Sequence, residues 1–530
     1  MKKTLLFIFF LFPSLIFAQA QYQPYSYHFY QKLNNIQYAT STRQHTALKP
    51  FVIDSTLRSH YDRLMGNGQA AKRLTWLQRK VFSEHLIEVN SGDQSFYADI
   101  LPDLYLGRDF AGGGKNTFLR SIGVQLGGNA GEQFSYHLSA YNNRGVFPNY
   151  IHEFIDQSEV IPGQNYGDLG ESVQSWNYLT ANLSYTPSKY LNISLAYDKN
   201  FIGDGYRSLL LSDVSSNYTA LKLTGRLGNV QYMSMWAYMV DPLAPELKAN
   251  RTRAKWGAFQ YLDWNISNRF SLGLFQSIIW ADRTEEDGHR GFELSYLNPI
   301  IFLRPIESSD PGSPDKMHLG LNAKYKVIDN MAIYGQFLLG EFTAKEFFAG
   351  NGYIHNKWGA QIGLRGFDAF GIENLNFLGE FNTVRPYTYS HFDPISNYSH
   401  FSQPLAHPIG ANFREVLGIF NYSVKRFDMS LQGNYSTYGL DPSDENNFGK
   451  NIFKSYNDFE NRYGNKVGQG IKTNLGYLDG RIAYLLNSKY NLRLELGGIL
   501  RRESNEFGRN TSAMMTFGLR SSFRNLYYDF

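Results

Sequence analysis

The fold class that this sequence predicts is all-β: a transmembrane antiparallel barrel of the outer-membrane type with about 18 strands. Three observations predict it. From about residue 95 onward, apolar and polar side chains alternate with period two. The alternating segments run to about 10–14 residues, longer than the ~5–6 usual for soluble strands. Short and long connections also alternate along the chain, an asymmetry that a soluble sandwich has no reason to show.

Taken in order, residues 1–20 read as a secretory signal peptide. Lys2 and Lys3 precede an apolar run over 5–12, then Pro13 and the small-x-small pattern Ala18-Gln-Ala20, which favours cleavage after Ala20. Residues 21–94 read as an N-terminal periplasmic segment. It is polar and Tyr-rich to about residue 48, followed by helical patterns over 55–65 and 69–89 around Gly66-Asn-Gly68. In the second pattern Leu74, Leu77, Val81 and Leu86 form an apolar stripe, with Trp76 and Phe82 beside it. Lys72, Arg73, Arg79 and Lys80 cover the other faces. The stripe predicts a helical hairpin packed on the main domain; a basic helix lying on acidic lipid or plugging a pore is the alternative.

Residues 95–530 supply the barrel. Leu179, Ala181, Leu183 and Tyr185 alternate with Thr180, Asn182 and Ser184, and Leu492, Leu494 and Leu496 alternate with Arg493 and Glu495. Successive strand side chains point to opposite faces, so each segment has one apolar and one polar face. Trp176, Tyr178, Tyr185, Tyr190, Tyr197 and Trp280 lie near segment ends, where rings prefer the headgroup level. Short turns are expected at 128–132, 186–189, 227–229, 267–268, 328–330, 425–426 and 487–489. Long loops are expected at 144–173, 200–216, 241–252, 283–315, 342–354, 384–412, 438–469 and 503–510. With the short turns periplasmic, strand parity makes 283–315 one long outer loop despite its apolar content. The chain ends in the aromatic run Asn525-Leu-Tyr-Tyr-Asp-Phe530, resembling a barrel-recognition signal. Met515, Phe517, Leu519 and Phe523 share one parity while Leu526, Tyr528 and Phe530 share the other, so a bulge is expected near Arg524.

Composition narrows the function. A net charge of +4 is too balanced for a nucleic-acid binder. The absence of Cys removes disulfides, thiolate metal sites, cysteine nucleophiles and a lipoprotein anchor. A mean hydropathy of −0.38 is too polar for a helical membrane bundle. No G-x-S-x-G elbow, H-E-x-x-H or P-loop occurs. His391, His400 and His407 are spaced irregularly, which favours an ordered polar loop over a metal site. The chain is therefore expected to be non-enzymatic, without metal or cofactor.

Three loop motifs stand out. The first is Phe201-Ile-Gly-Asp-Gly-Tyr-Arg-Ser-Leu-Leu-Leu-Ser-Asp213, in which two glycines allow close backbone approach and Asp204, Tyr206, Arg207 and Ser208 offer polar groups. The second, 293–307, is apolar but bracketed by Glu293, Arg304 and Glu307. The third, 403–412, carries His407 and Asn412. All three are expected to fold inward and close the barrel mouth. If they converge, Asp204, Tyr206, Arg207, Ser208, Arg304, Glu307, His407 and Asn412 are candidate ligand-binding residues, near Tyr296 and Tyr387.

The first motif, with the following Asn217-Tyr-Thr-Ala-Leu-Lys222, resembles the Wzi capsule-assembly family and its RemB-like gliding-motility relatives. The other two motifs and the helix-then-barrel order are similar as well, over about residues 40–530. The resemblance implies a closed outer-membrane barrel, a periplasmic helical element and lectin-like retention of surface polysaccharide. Outer-membrane lipid is then a partner, and a surface polysaccharide is the expected ligand. The alternatives are a motility or adhesion component that binds surface-assembly proteins, and a passive porin.

Overall fold

The computed structural model describes residues 21–53, 55–66, 75–111, 113–168, 172–242, 253–284, 288–302 and 315–530. The signal segment, Lys72, Arg73 and Leu74 of the second helical pattern, and the candidates Arg304 and Glu307 lie outside them.

Eighteen long antiparallel strands close the expected barrel. The first six are β1 (Gln94–Asp109), β2 (Lys115–Ala130), β3 (Phe134–Val146), β4 (Gln174–Ser188), β5 (Leu191–Asp198) and β6 (Tyr218–Leu227). Next come β7 (Val230–Val240), β8 (Ala254–Trp264), β9 (Phe270–Ala281), β10 (Lys316–Ile328), β11 (Met331–Glu341) and β12 (Lys357–Gly366). The last are β13 (Leu375–Val384), β14 (Phe413–Val424), β15 (Phe427–Leu440), β16 (Ile471–Asn487), β17 (Leu492–Asn505) and β18 (Gly508–Ser521). Each strand pairs with its neighbours in sequence. β18 pairs back onto β1 from Met514↔Asp109 to Leu519↔Leu104, so the sheet has no free edge. A short strand, Ile87–Ser91, pairs with the start of β1.

The wall is inverted relative to a soluble protein. Ile482 and Leu496 are 49% and 46% exposed on the outside, whereas Asp103, Ser121 and Glu415 are buried on the inside. Apolar side chains facing out over polar ones facing in are stable only when lipid surrounds the barrel. The strand phase expected at Leu179–Tyr185 holds: Leu179 and Leu183 face out, and Thr180, Asn182 and Ser184 face in.

Several expectations need correction. The outer connection expected at 503–510 is a tight turn, because β17 and β18 stay paired up to Asn505↔Gly508. The connection 367–374, between β12 and β13, is a turn that the hydropathy pattern did not reveal. Within 69–89 the described helix is only Trp76–Phe82, capped by a reciprocal Thr75–Gln78 box, and the chain becomes strand at Ile87. Trp76 and Leu77 are 61% and 64% exposed, so this part of the stripe faces away from the barrel, whereas Val81 and Phe82 are half-buried. The helix is also held to the barrel through its backbone, its Lys80 carbonyl accepting from Asn487 Nδ2 at 3.1 Å and Tyr490 Oη at 3.2 Å.

The C-terminal bulge is also absent. β18 ends at Ser521, and residues 522–530 leave the wall and turn up into the lumen. The parity change between Phe523 and Leu526 marks a chain that has departed from the sheet.

The apolar outer loop provides another correction. Residues 288–302 do not fold into the mouth; they lie against the outside of β7, β8 and β9. Trp236, Ala258, Ile278 and Trp280 all point outward, yet all are buried together with Tyr296 of the loop. Gln260 and Gln276, an outward-facing cross-strand pair, would be costly in lipid. The loop reaches both: Gln260 Nε2 donates to Asn298 O at 2.7 Å, and Phe302 N donates to Gln276 Oε1 at 2.7 Å. Trp236 Nε1 donates to Tyr296 O at 2.8 Å, and Tyr232 Oη donates to Pro299 O. Irregular backbone survives at membrane depth because wall side chains take its carbonyls. Gln260 lies midway between Trp256 and Trp264 along β8, so the loop reaches the middle of the apolar band.

That depth is directly measurable, since the sequence contains no other cysteine. A fluorophore on Leu297→Cys in proteoliposomes should be quenched strongly by mid-chain nitroxide lipids and weakly by an aqueous quencher. The reverse pattern would place the loop above the membrane.

Candidate functional site

An 18-strand barrel encloses a lumen wide enough for an aqueous channel unless something fills it. Here three segments do. The N-terminal segment, expected to be periplasmic, sweeps around the inside of the short-turn mouth. Lys32 Nζ meets Asp428 of β15 at 2.7 Å, Asn35 reaches Asp368, Thr40 N meets Asp329 at 2.9 Å, and Arg43 Nε meets Asn268 at 2.7 Å. His45 then lies 2.8 Å from Asp263, and Leu48–Lys49 pairs with Phe201–Ile202.

That pairing carries the chain to the 199–217 loop, which dives to the lumen centre. Glu380 of β13 accepts the backbone N–H groups of Tyr206 at 3.0 Å and Arg207 at 3.2 Å. A Cβ on Gly205 would stand 2.3 Å from Glu380 Oε2, so this approach requires glycine.

The candidate residues on this loop are buried and held by protein partners. Asp204 accepts from Tyr38 Oη at 2.7 Å, from Asn322 Nδ2 at 3.1 Å and from Thr46, with Lys324 Nζ at 3.7 Å. Burial raises its carboxyl, but Lys324 and Lys49, with the Thr46 and Tyr38 hydroxyls, hold it well below the usual carboxylate range. Tyr206 is wedged between Tyr27 and Tyr527, at ring-centroid distances of 4.8 and 5.5 Å. Ser208 Oγ donates to Ile202 O at 2.6 Å and accepts from Leu210 N at 3.1 Å, closing a local turn.

Arg207 is the centre of the network. Its Nε and Nη2 donate to Glu415 of β14 at 3.2 and 2.9 Å, and its Nη1 and Nη2 donate to Asp529 of the tail at 3.4 and 2.7 Å. Burial disfavours its charge, and Asp529 and Glu415 more than restore it. His407 joins the same carboxylate. Its Nδ1 accepts from Ile409 N at 3.3 Å, so Nε2 carries the proton that is donated to Glu415 at 2.7 Å. Burial keeps this ring below its ordinary pKa.

The tail, residues 522–530, completes the filling. Arg524 Nη2 donates to Asp103 at 2.9 Å, while Asn525 and Tyr527 meet the two oxygens of Asp213 at 2.7 and 2.8 Å. Tyr528 O accepts from Tyr150, and Phe530 packs on Phe154 at 4.6 Å; both partners lie on the helix Asn149–Ser158 of the loop after β3. Cavities of about 200 and 220 Å³ flank the tail. Each has room for roughly seven waters.

At the long-loop end, loops 342–356, 385–412 and 441–470 are knitted together. Tyr389 and Tyr398 send their hydroxyls down to Leu209 O and Leu210 O at 2.9 and 2.5 Å, so 385–412 does fold inward as expected. Asn412 donates to Gln469 O at 2.9 Å and accepts from Gly468 N at 2.7 Å. Ile354 N bonds Arg462 O at 3.0 Å, and Gly464 N bonds Asn351 O at 2.8 Å. Tyr353, Tyr463 and Phe392 lie on the resulting outer surface, Tyr463 and Phe392 exposed and Tyr353 half-buried.

The structure thus joins Arg207 and His407 through Glu415 and brings Asp204, Tyr206 and Ser208 onto the same loop, but leaves Asn412 apart as a loop brace. Tyr387 is buried, its hydroxyl bonding Asn447 O at 2.5 Å, and Tyr296 is on the outer wall. His391, His400 and His407 have separate partners. Sequence reasoning missed Glu380, Glu415 and Asp529. The first two look like any polar strand position, and Asp529 was assigned to a strand that ends eight residues earlier.

The fold and this lumen define a plugged membrane barrel of the outer-membrane type. No protein-family profile matches the chain, and no curated protein matches it. Among solved structures it is similar to Wzi of Escherichia coli, described as an outer-membrane carbohydrate-binding β-barrel involved in group 1 capsule assembly. The TM-score is 0.49 at 15% identity, covering 78% of this chain and 84% of that one. It is also similar to OprD of Pseudomonas aeruginosa, with TM-score 0.42, 12% identity and coverage of 84% and 97%. For OccAB2 of Acinetobacter baumannii the values are TM-score 0.42, 10% identity and coverage of 81% and 99%. These likenesses are of barrel architecture.

Removing the central cation should be costly. Arg207→Ala takes the arginine cation from the buried Glu415 and Asp529 and should lower stability by about 3–5 kcal/mol. It should show as a fall in the temperature at which the folded band disappears on gels, larger than that for Asn412→Ala. An unchanged temperature would mean that the network does not hold the lumen together.

Proposed function

We propose that this protein is a non-enzymatic, non-conducting outer-membrane barrel that holds a surface polysaccharide at its outer face. The observation that carries this reading is the division of labour within the molecule. The lumen is occupied from the short-turn mouth to the loops by residues bound to one another, while the outer loops are braced into an aromatic, polar surface. A solute channel has no use for a charged network that ties the N-terminal segment and the C-terminal tail across its bore. A glycan-holding surface needs rigid rings for sugar faces and oriented polar groups for hydroxyls. The resemblance of the 201–213 motif to the Wzi-like family supports the same reading, with capsule assembly or attachment as the process served.

Arg207 and His407 serve this function from beneath, as positioning residues. They hold the 199–217 and 385–412 loops at the height where the outer surface forms.

A deletion strain tests the proposal. Surface polysaccharide should move from the cell-bound to the released fraction, and the wild-type gene should restore it. Normal retention together with lost colony spreading would instead indicate a motility or adhesion role through a protein partner.

A further inference from the structure

The outer loops contain a charge imbalance that no contact so far explains. Lys316 at the start of β10 and Lys357 at the start of β12 share a single carboxylate, Glu341 at the end of β11. Lys357 Nζ lies 2.9 Å and Lys316 Nζ 3.5 Å from the same Glu341 oxygen, while His355 Nδ1 lies 2.8 Å from the other. The lysine side chains are 2% and 0% exposed. Among the described residues, Lys316 Nζ finds no hydrogen-bond acceptor. Among the described residues one carboxylate faces two buried lysines, which cannot both stay charged without cost unless a second anion arrives.

The groups above the pair fit a sugar. The Tyr456 ring lies over the cations, its centroid 3.1 Å from Lys357 Nζ and 5.9 Å from Lys316 Nζ. Beside it, His355 and Tyr353 have ring centroids 5.2 Å apart, and Tyr353 and Tyr463 are also 5.2 Å apart, giving a run of rings that reaches solvent. The Arg462 guanidinium stands 5.9 Å from the Tyr353 ring. This surface is braced from below: a Cβ on Gly352 would stand 2.6 Å from Asn465 N, so the 342–356 and 441–470 loops touch backbone to backbone here.

We propose that this cluster is a binding site for an acidic saccharide, with the sugar stacked on Tyr353 and Tyr463 and its carboxylate drawn to the Lys316–Lys357 pair beside Tyr456. The proposal rests on the surface-polysaccharide reading and adds the ligand's charge and location. A neutral sugar could stack on the same rings but would leave the extra cation unbalanced; a carboxylate balances two ammoniums with two carboxylates. All of the candidate residues that could be placed lie elsewhere.

The test uses the full-length protein in detergent, with immobilised polygalacturonate and dextran as probes. Wild type should bind polygalacturonate more tightly than dextran, with affinity falling as salt rises. Lys316→Gln removes the excess charge but leaves the Lys357–Glu341 pair. It should fold at least as stably as wild type on heat-modifiability gels and yet bind polygalacturonate about tenfold more weakly. Tyr463→Ala, at an exposed position, should weaken binding without affecting insertion. A Lys316→Gln protein that loses stability but keeps binding would make the lysine purely structural and overturn the site. Equal binding to dextran and polygalacturonate would overturn the acidic preference but leave the surface-polysaccharide reading intact. Binding to neither probe would overturn the site, and if the deletion strain also kept its polysaccharide cell-bound, the functional reading would fail with it.

Discussion

The arrangement depends on one buried arginine. Arg207 comes from a loop, Glu415 from the wall and Asp529 from the penultimate position of the chain, so a single guanidinium fixes three elements that are distant in sequence. A buried ion cluster of this kind adds little net stability, because desolvation offsets most of the Coulombic gain. Its effect is on specificity. Any other seating of the tail or the loop leaves a charge unpaired in a site with almost no solvent, and that penalty exceeds what alternative apolar packing could recover. The same logic extends outward. Glu380 holds the backbone of the loop, Asp204 ties it to Tyr38 and Thr46 of the N-terminal segment, and Asp213 ties it to Asn525 and Tyr527. The 199–217 loop is the keystone, and its glycines make it fit.

A second constraint acts on the other side of the wall. The outside of a membrane barrel should be apolar, yet β7, β8 and β9 carry Ser234, Gln260 and Gln276 on that face. The 288–302 loop resolves the conflict by bringing its own carbonyls and one N–H to these groups and presenting Leu294, Leu297, Ile300 and Phe302 to the surroundings. Barrel and loop are complementary: neither surface would be stable in lipid without the other.

Much of the architecture was legible in the sequence because the strand period, the turn asymmetry and the strand parity each report on the same physical boundary between lipid and lumen. The even count of about 18 and the treatment of 283–315 as one connection came from parity alone. What was not legible is where a segment goes once it leaves the wall. Residues 21–49 lack a strong period because they face protein on several sides, so polarity made them look periplasmic. Residues 293–302 are apolar because they meet lipid on the outside, and apolarity alone cannot distinguish that from packing into a mouth. The tail gave a signal in its parity break at Phe523–Leu526, but a bulge and an exit from the sheet produce the same break. At the candidate site, Gly203-Asp-Gly205 correctly marked a close backbone approach. The partner that approaches is Glu380, which no local pattern distinguishes from other luminal residues.

The bore of the folded protein is occupied by the described N-terminal segment, the C-terminal tail and the 199–217 loop. Planar-bilayer recording of the purified wild-type protein tests it most directly. The structure calls for insertion without steady ionic conductance across a wide voltage range. Large, stable, salt-dependent current steps from the intact wild-type chain would contradict it, because these segments would then have to leave the bore open.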